Sequence, residues 1–185
     1  MGREKPLLEI GGRLLIERVA AAVVPCASKT VVVTNRPELY SFLNLPTIQD
    51  TWPGRGPLAG IHAGLRHATC ERILVVACDY PFLDAATLRR ITAEDPAGGV
   101  IVPFIDGKLQ PLCALYSVSV LPLVETSIAS GELMVSSLLA RLPQRVVQQR
   151  ALGGAAASRI FFNVNTPEDL RRAEEMLAEE AEPRG

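Results

Sequence analysis

The sequence predicts an α/β protein of three layers, a mostly parallel mixed sheet with helices on both faces. Three observations predict it. Strand-like runs at 29–35, 72–78 and 100–104 alternate with segments of helical spacing. The runs at 72–78 and 100–104 are apolar at consecutive positions, the pattern of strands covered on both faces. The turn Ile105-Asp106-Gly107-Lys108 leads into an antiparallel return over 109–116, which adds a mixed edge. Such alternation packs as a sheet between helices, with ligands beyond the carboxyl ends of the strands.

Helical spacing runs over 14–24, with Glu17 and Arg18 on a polar face. The β-branched run 29–35 reads as a buried strand ending in turn residues. Pro37 suits the first turn of a short helix over 37–43. A short strand follows at 47–50. Gly and Pro interrupt 51–57 too often for regular structure, and helical spacing returns over 58–68. Residues 72–78 form the most apolar strand, which stops at Asp79-Tyr80-Pro81. Asp84 caps a helix through Ile91. Beyond the hairpin, 117–130 is helical with Pro122 in its first turn, and 135–141 is a further helix. A late strand covers 145–148, a small-residue loop 153–158, and a last short strand 160–162. A helix over 167–180 is polar on its outer face and frays beyond Ala178. With no repeat or linker, the expectation is one domain over 1–180 and a frayed tail at 181–185.

A formal charge of −1 over 185 residues excludes a global basic field for nucleic acid or an anionic membrane. No apolar run approaches the ~18 residues needed to span a bilayer, and the N-terminus lacks a signal-peptide core. The chain is expected to be cytoplasmic. Its four cysteines, Cys26, Cys70, Cys78 and Cys113, form no C-x-x-C pair and read as buried small hydrophobes. His62 and His67 lack metal-pair spacing and read as helix-surface residues.

The strand ends then carry the chemistry, at Asn35, Asp50, Asp79 and Asn163. Asp79 closes a buried strand, where it either holds Mg²⁺ together with phosphate oxygens or caps the turn before Tyr80-Pro81. Gly54, Gly56 and Gly60 lie where a strand meets a helix, so the segment is either an anion cradle of backbone N–H groups or a plain surface loop. Gly2-Arg3-Glu4-Lys5 sets two cations beside a glycine; Lys5 either neutralises a phosphate or is simply solvated. Thr166, Pro167 and Asp169 form a helix start resembling a capping box. Capping does not explain Asn163 and Asn165, which point to one side of an extended segment and suit a pocket.

These pieces together resemble the molybdenum cofactor guanylyltransferases, nucleotidyltransferases of Rossmann-like fold. The matching blocks keep the family order over nearly the whole chain. They are Met1-Gly2-Arg3-Glu4-Lys5, Val33-Thr34-Asn35-Arg36, Asp50 with Gly56-Pro57-Leu58-Ala59-Gly60, and Cys78-Asp79-Tyr80-Pro81. Gln110-Pro111-Leu112 and Asn163-Val164-Asn165-Thr166-Pro167 follow, and these last two favour this family over cousins that use other nucleotides. The resemblance implies transfer of GMP from GTP to the phosphate of molybdopterin, with release of pyrophosphate. It implies Lys5 at the nucleotide phosphates and Asp79 on Mg²⁺ as catalytic residues. Asn35, Asp50 and Gly56 then lie against the nucleotide, and Asn163 and Asn165 towards the pterin. It also implies molybdoenzyme chaperones as partners.

There are departures. Glu4 stands where the family usually has Asp. The family's first strand and Gly-rich loop would precede Met1, which leads us to expect a missing central strand, a misassigned start and weak turnover. Two alternatives follow: a cytidylyltransferase or other nucleotidyltransferase of the same fold, and a catalytically impaired molybdopterin-binding protein.

Overall fold

The computed structural model describes residues 5–181, with the side chains of residues 180 and 181 left aside. The Gly2-Arg3-Glu4 part of the first block and the tail from 182 on lie outside the described residues.

The chain opens with a 3₁₀ turn at Lys5–Leu7 and a small hairpin, β1 (Glu9–Ile10) and β2 (Arg13–Leu14). Helix α1 (Leu15–Val23) follows, then β3 (Val32–Val33), a 3₁₀ helix at Pro37–Leu43 and β4 (Thr47–Ile48). Next come α2 (Pro57–His67), β5 (Arg72–Val76), α3 (Ala85–Thr92), β6 (Val100–Ile105), β7 (Lys108–Leu109) and β8 (Cys113–Ser117). The chain continues through α4 (Leu121–Ala129), α5 (Val135–Ala140), β9 (Gln144–Gln148), α6 (Ala155–Ile160) and α7 (Pro167–Ala181).

The main sheet runs β5-β8-β6-β9, with β7 folded back on the end of β6. β5, β6 and β9 point one way and β8 runs against them, so the sheet is mixed. Period-two alternation sorts the core. Ile73, Val75, Val100, Val102, Ala114 and Tyr116 face α2, α4 and α5. Leu74, Val76, Ile101, Ile105, Cys113 and Leu115 face α1, α3 and α6. The buried Tyr116 hydroxyl donates to the Pro111 carbonyl at 2.8 Å, so its polar atom is satisfied. A third cluster joins Ile10, Leu15, Val164 and Ala173 under α7.

Local chemistry sets the predicted turns and caps. Asp106 and Gly107 both have positive φ, 48° and 79°, the two left-handed residues of a type I′ hairpin. Asp84 Oδ1 accepts from the Thr87 amide at 2.7 Å and caps α3. At the start of α7, Asp169 Oδ2 accepts from the Thr166 amide at 2.8 Å, and the Asp169 amide donates to Thr166 Oγ1 at 3.1 Å.

Several expectations are corrected. The strand expected over 29–35 shrinks to Val32–Val33 and is half-buried to exposed, because among the described residues it pairs with β4 alone. Among the described residues β5 likewise has a strand partner on one edge only, and α2 lies over both β3 and β5. The return over 109–116 breaks at Gln110–Leu112 into β7 and β8. The loop expected at 153–158 is mostly α6, since Ala-Ala-Ala-Ser is a strong helix former once Gly153 and Gly154 have turned the chain. Its last turn consumes Ile160 and Phe161, so no strand forms at 160–162; the Phe161 amide donates to the Ala157 carbonyl instead. The helix over 167–180 continues to Ala181 rather than fraying after Ala178. His62 is 5% exposed, not on a helix surface, because that face of α2 packs against α4. Cys70 is exposed, whereas Cys113 is buried and Cys26 and Cys78 half-buried; all four are free thiols. No helix among the described residues is long and apolar enough to cross a membrane.

Candidate functional site

Beyond the carboxyl end of β5, Asp79 meets two distant parts of the chain. Lys5 Nζ donates to Asp79 Oδ2 at 3.0 Å and to Asn165 Oδ1 at 2.6 Å. The Lys5 and Asp79 side chains are 31% and 13% exposed, so the pair sits at the mouth of the fold rather than on open surface. Folding holds Asn165 there through backbone contacts. The Val164 amide donates to the Asp79 carbonyl at 2.9 Å, and Asp169 Oδ2 accepts from the Asn165 amide at 2.9 Å. Three segments far apart in sequence thus meet at Asp79, one through its carboxylate and one through its backbone carbonyl.

That carboxylate is incompletely satisfied. Asp79 Oδ1 is buried and accepts no hydrogen bond, and so is Asn163 Oδ1. Leaving such acceptors dry costs about 1–3 kcal/mol each, unless a ligand meets them. Two oxygen acceptors suit a hard cation. Among the described residues no three His, Cys, Asp or Glu side chains cluster as a metal cage. A cation here would therefore complete its shell from substrate oxygens, which is how Mg²⁺ binds with phosphates.

The thiol and phenol beside Asp79 are held in their neutral forms. Burial, reinforced by the Asp79 charge and opposed by Lys5, pushes the Cys78 thiol up to about 11, so it is protonated near neutral pH. Burial likewise raises the Tyr80 phenol, with added push from Cys113 and Asp79. In the sequence Tyr80 figures as part of the Cys78-Asp79-Tyr80-Pro81 block, with no role attached to it. It is buried, its hydroxyl donates to Gln110 Oε1 at 3.2 Å, and its ring meets Phe161 edge-on at 6.1 Å. It therefore ties the Asp79 turn both to Gln110 and to the segment that presents Asn163. The Gln110-Pro111-Leu112 block is the available signal for this contact.

A second group forms beyond β3 and β4. Asn35 Oδ1 accepts from the Asp50 amide at 3.0 Å, and Asp50 Oδ1 accepts from the Trp52 amide at 2.6 Å. These bonds shape the loop that ends in Gly56, whose φ of 65° precedes Pro57 at the start of α2. A Cβ at Gly54 or Gly56 would meet nothing within 4 Å, so the loop has an open face. Beneath it, His62 lies 3.4 Å from Thr51 Oγ1 and 3.5 Å from Glu125 Oε1, with its ring edge-on to Trp52. His62 is a supporting residue that sequence reasoning missed; helical spacing does not reveal which face is covered. The structure thus joins Lys5, Asp79 and Asn165, with Asn163 alongside, and separately Asn35, Asp50 and Gly56. No hydrogen bond among the described residues links the two groups.

Comparison with known proteins gives a consistent set of relatives. Residues 1–148 match the family described as MobA-like NTP transferase domain. A protein from Carboxydothermus hydrogenoformans named probable molybdenum cofactor guanylyltransferase is 34% identical over 93% of this chain and 87% of its own length. The molybdenum cofactor guanylyltransferase of Desulfosudis oleivorans is also 34% identical, over 94% of this chain and 87% of its length. Among solved structures, molybdopterin-guanine dinucleotide biosynthesis protein A from Archaeoglobus fulgidus superposes with a TM-score of 0.83 at 32% identity, over 96% of this chain and 92% of that one. A cytidylyltransferase from Thermus thermophilus, at 19% identity and a TM-score of 0.71, shares the fold.

Proposed function

Because the chain belongs to the MobA-like NTP transferases, and among them to the molybdenum cofactor guanylyltransferases, we propose that it transfers GMP from GTP to the phosphate of molybdopterin. A phosphate oxygen of molybdopterin attacks the α-phosphorus of GTP. The bond from that phosphorus to the α,β-bridging oxygen breaks, and pyrophosphate leaves. The nucleophile is already largely anionic at neutral pH, so the reaction needs no general base. What the site must supply is alignment and charge neutralisation.

The observation that carries this reading is the junction of Lys5, Asp79 and Asn165 beside two buried, unpartnered oxygens. Lys5 is placed to meet phosphate charge once it exchanges Asp79 for substrate oxygen. Asp79 Oδ1 and Asn163 Oδ1 would hold Mg²⁺, which when bound supplies Lewis-acid stabilisation of charge at the reacting phosphate. Asn165 orients the Lys5 ammonium. Asn35 and Asp50 set the shape of the loop against which the nucleoside part lies, and the backbone at Gly56 opens α2 towards phosphate. Asn163 and Asn165 face the pterin substrate. The same reading puts the work in the cytoplasm, with molybdoenzyme chaperones receiving the product.

Calorimetric titration with GTP and with CTP, each in millimolar Mg²⁺, tests it. Binding of GTP without a response to CTP supports guanylyl transfer. The reverse preference makes the chain a cytidylyltransferase. Binding of molybdopterin with neither nucleotide marks an impaired, pterin-binding relative.

A further inference from the structure

The residue after Asp79 is a tyrosine that the fold buries. Tyr80 is 3% exposed and belongs to the apolar cluster that also holds Leu83, Cys113 and Phe161. A phenol in such surroundings has one proton to donate and an oxygen that can accept, and burial requires a partner for its polar end. The proton goes to Gln110, whose Oε1 accepts it at 3.2 Å. Gln110 is itself held. Its backbone amide donates to the Pro103 carbonyl at 2.9 Å, and its Nε2 lies 3.5 Å from the Lys108 carbonyl, which leaves Oε1 as the end that accepts.

With its proton spent, the Tyr80 oxygen meets its other neighbours as an acceptor. Burial, then Cys113 and Asp79, raise the Tyr80 pKa, and a hydrogen bond from the Asn163 side chain pulls against them. A bond that favours the phenolate is one in which Asn163 donates. The other end of Asn163 agrees: its Oδ1 is buried and has no hydrogen-bond partner, so the end on Tyr80 is Nδ2. The Val164 amide, one residue on, donates to the Asp79 carbonyl at 2.9 Å and fastens this segment to the Asp79 turn. The bonds therefore run in one direction, from Asn163 to Tyr80 and from Tyr80 to Gln110. The amide oxygen left over at the start of that chain is one of the two orphaned acceptors of the site, beside Asp79 Oδ1.

We propose that Tyr80 is a positioning residue for nucleotidyl transfer: by accepting from Asn163 Nδ2, it holds the Asn163 carboxamide with its oxygen, rather than its nitrogen, towards the cation at Asp79. The proposal rests on the reading that Asp79 Oδ1 and Asn163 Oδ1 hold Mg²⁺. The two ends of a carboxamide have nearly the same shape, so packing alone does not choose between them. The choice matters, because oxygen is a ligand for a hard cation and an NH₂ group turns its positive protons towards it. Tyr80 itself touches neither cation nor substrate in this arrangement.

The test is calorimetric titration of the full chain with GTP, once in millimolar Mg²⁺ and once in EDTA. The ratio of the two affinities is the gain that Mg²⁺ brings. Tyr80→Phe keeps the ring and removes one oxygen. In it the gain should fall about three- to tenfold, the range of one ordinary hydrogen bond, while affinity in EDTA stays unchanged. Asn163→Ala should lower the gain as well, and adding Tyr80→Phe to Asn163→Ala should lower it no further. If Tyr80→Phe does not fold, as circular dichroism shows, Gln110→Met takes its place. It frees the Tyr80 proton to draw the amide oxygen round, so the gain should fall in the same direction. An undiminished gain in the folded variant overturns the proposal. So does a loss that is equal in EDTA, or equal in the Asn163→Ala background, since either marks a merely structural hydroxyl. A gain that survives in Asp79→Asn, or is absent from the unaltered chain, overturns the cation reading first and the role of Tyr80 along with it.

Discussion

β6 lies between β8 and β9 and is buried along both faces, whereas β3 and β5 each pair on one edge and carry half-buried or exposed apolar residues. The same chemistry of consecutive apolar residues is thus used fully in one region and partly in the other. Cohesion is concentrated around β6 and β8, and the candidate site sits at the looser flank, where Asp79 follows β5 and the Asn35–Asp50 pair follows β3 and β4. A ligand that bridges this flank would add contacts that the fold itself leaves unmade.

Glycines give the sharpest way to break the comparison. A Cβ at Gly99 would collide with the Pro143 carbonyl, which accepts from the Val100 amide as β6 begins. Gly99→Ala should cost about 4 kcal/mol or more, or prevent folding, as read by denaturant melts. A mild effect would mean that the centre is less tightly built than the packing indicates. Next in size, Leu115→Ala in β8 should cost about 2–5 kcal/mol, against under about 1 kcal/mol for Val33→Ala in β3. Equal costs would erase the distinction between the two regions.

Smaller effects sharpen it. Gly60 lies inside α2 on the loose flank, and a Cβ there would meet nothing within 4 Å. Gly60→Ala should therefore stabilise the chain by about 0.5–1 kcal/mol through helix propensity. A fall in GTP affinity in that variant would show that a ligand approaches the helix closely there. The smallest expected effect concerns the α7 cap. Backbone N–H groups of Asn165 and Thr166 hold the Asp169 carboxyl below its ordinary pKa. A depressed folded-state pKa stabilises above the unfolded value, and that contribution is lost as pH falls through the folded value. The gap in thermal midpoint between the unaltered chain and Asp169→Asn should be widest at neutral pH and narrow below about pH 4. A gap independent of pH would separate the cap from the charge.

The sequence was most informative where structure is decided locally. Asp84, the Asp106-Gly107 turn and the Thr166–Asp169 cap are each settled by neighbours within a few residues, and each appears as expected. Features decided by partners elsewhere were not legible. The length of β3 depends on what pairs with it, the burial of His62 on where α4 lies, and α6 on how the Gly153-Gly154 turn releases an alanine run into helix. The site divides in the same way. Asp79 stands out as the carboxylate that closes a strand, and Asn163 and Asn165 as two asparagines that helix capping leaves unexplained, but their meeting with Lys5 spans most of the chain. Tyr80 lies inside the Cys78-Asp79-Tyr80-Pro81 block, but its role, like that of His62, escapes sequence reasoning because each acts through a contact with a distant residue.

The account rests on Asp79 as the carboxylate about which transfer is organised. The direct measurement is pyrophosphate release from GTP in the presence of molybdopterin and Mg²⁺, comparing the unaltered chain with Asp79→Asn, with circular dichroism confirming that both fold. The account predicts Mg²⁺-dependent release that falls about 10²-fold or more in Asp79→Asn. Release at an undiminished rate from a folded Asp79→Asn would contradict it.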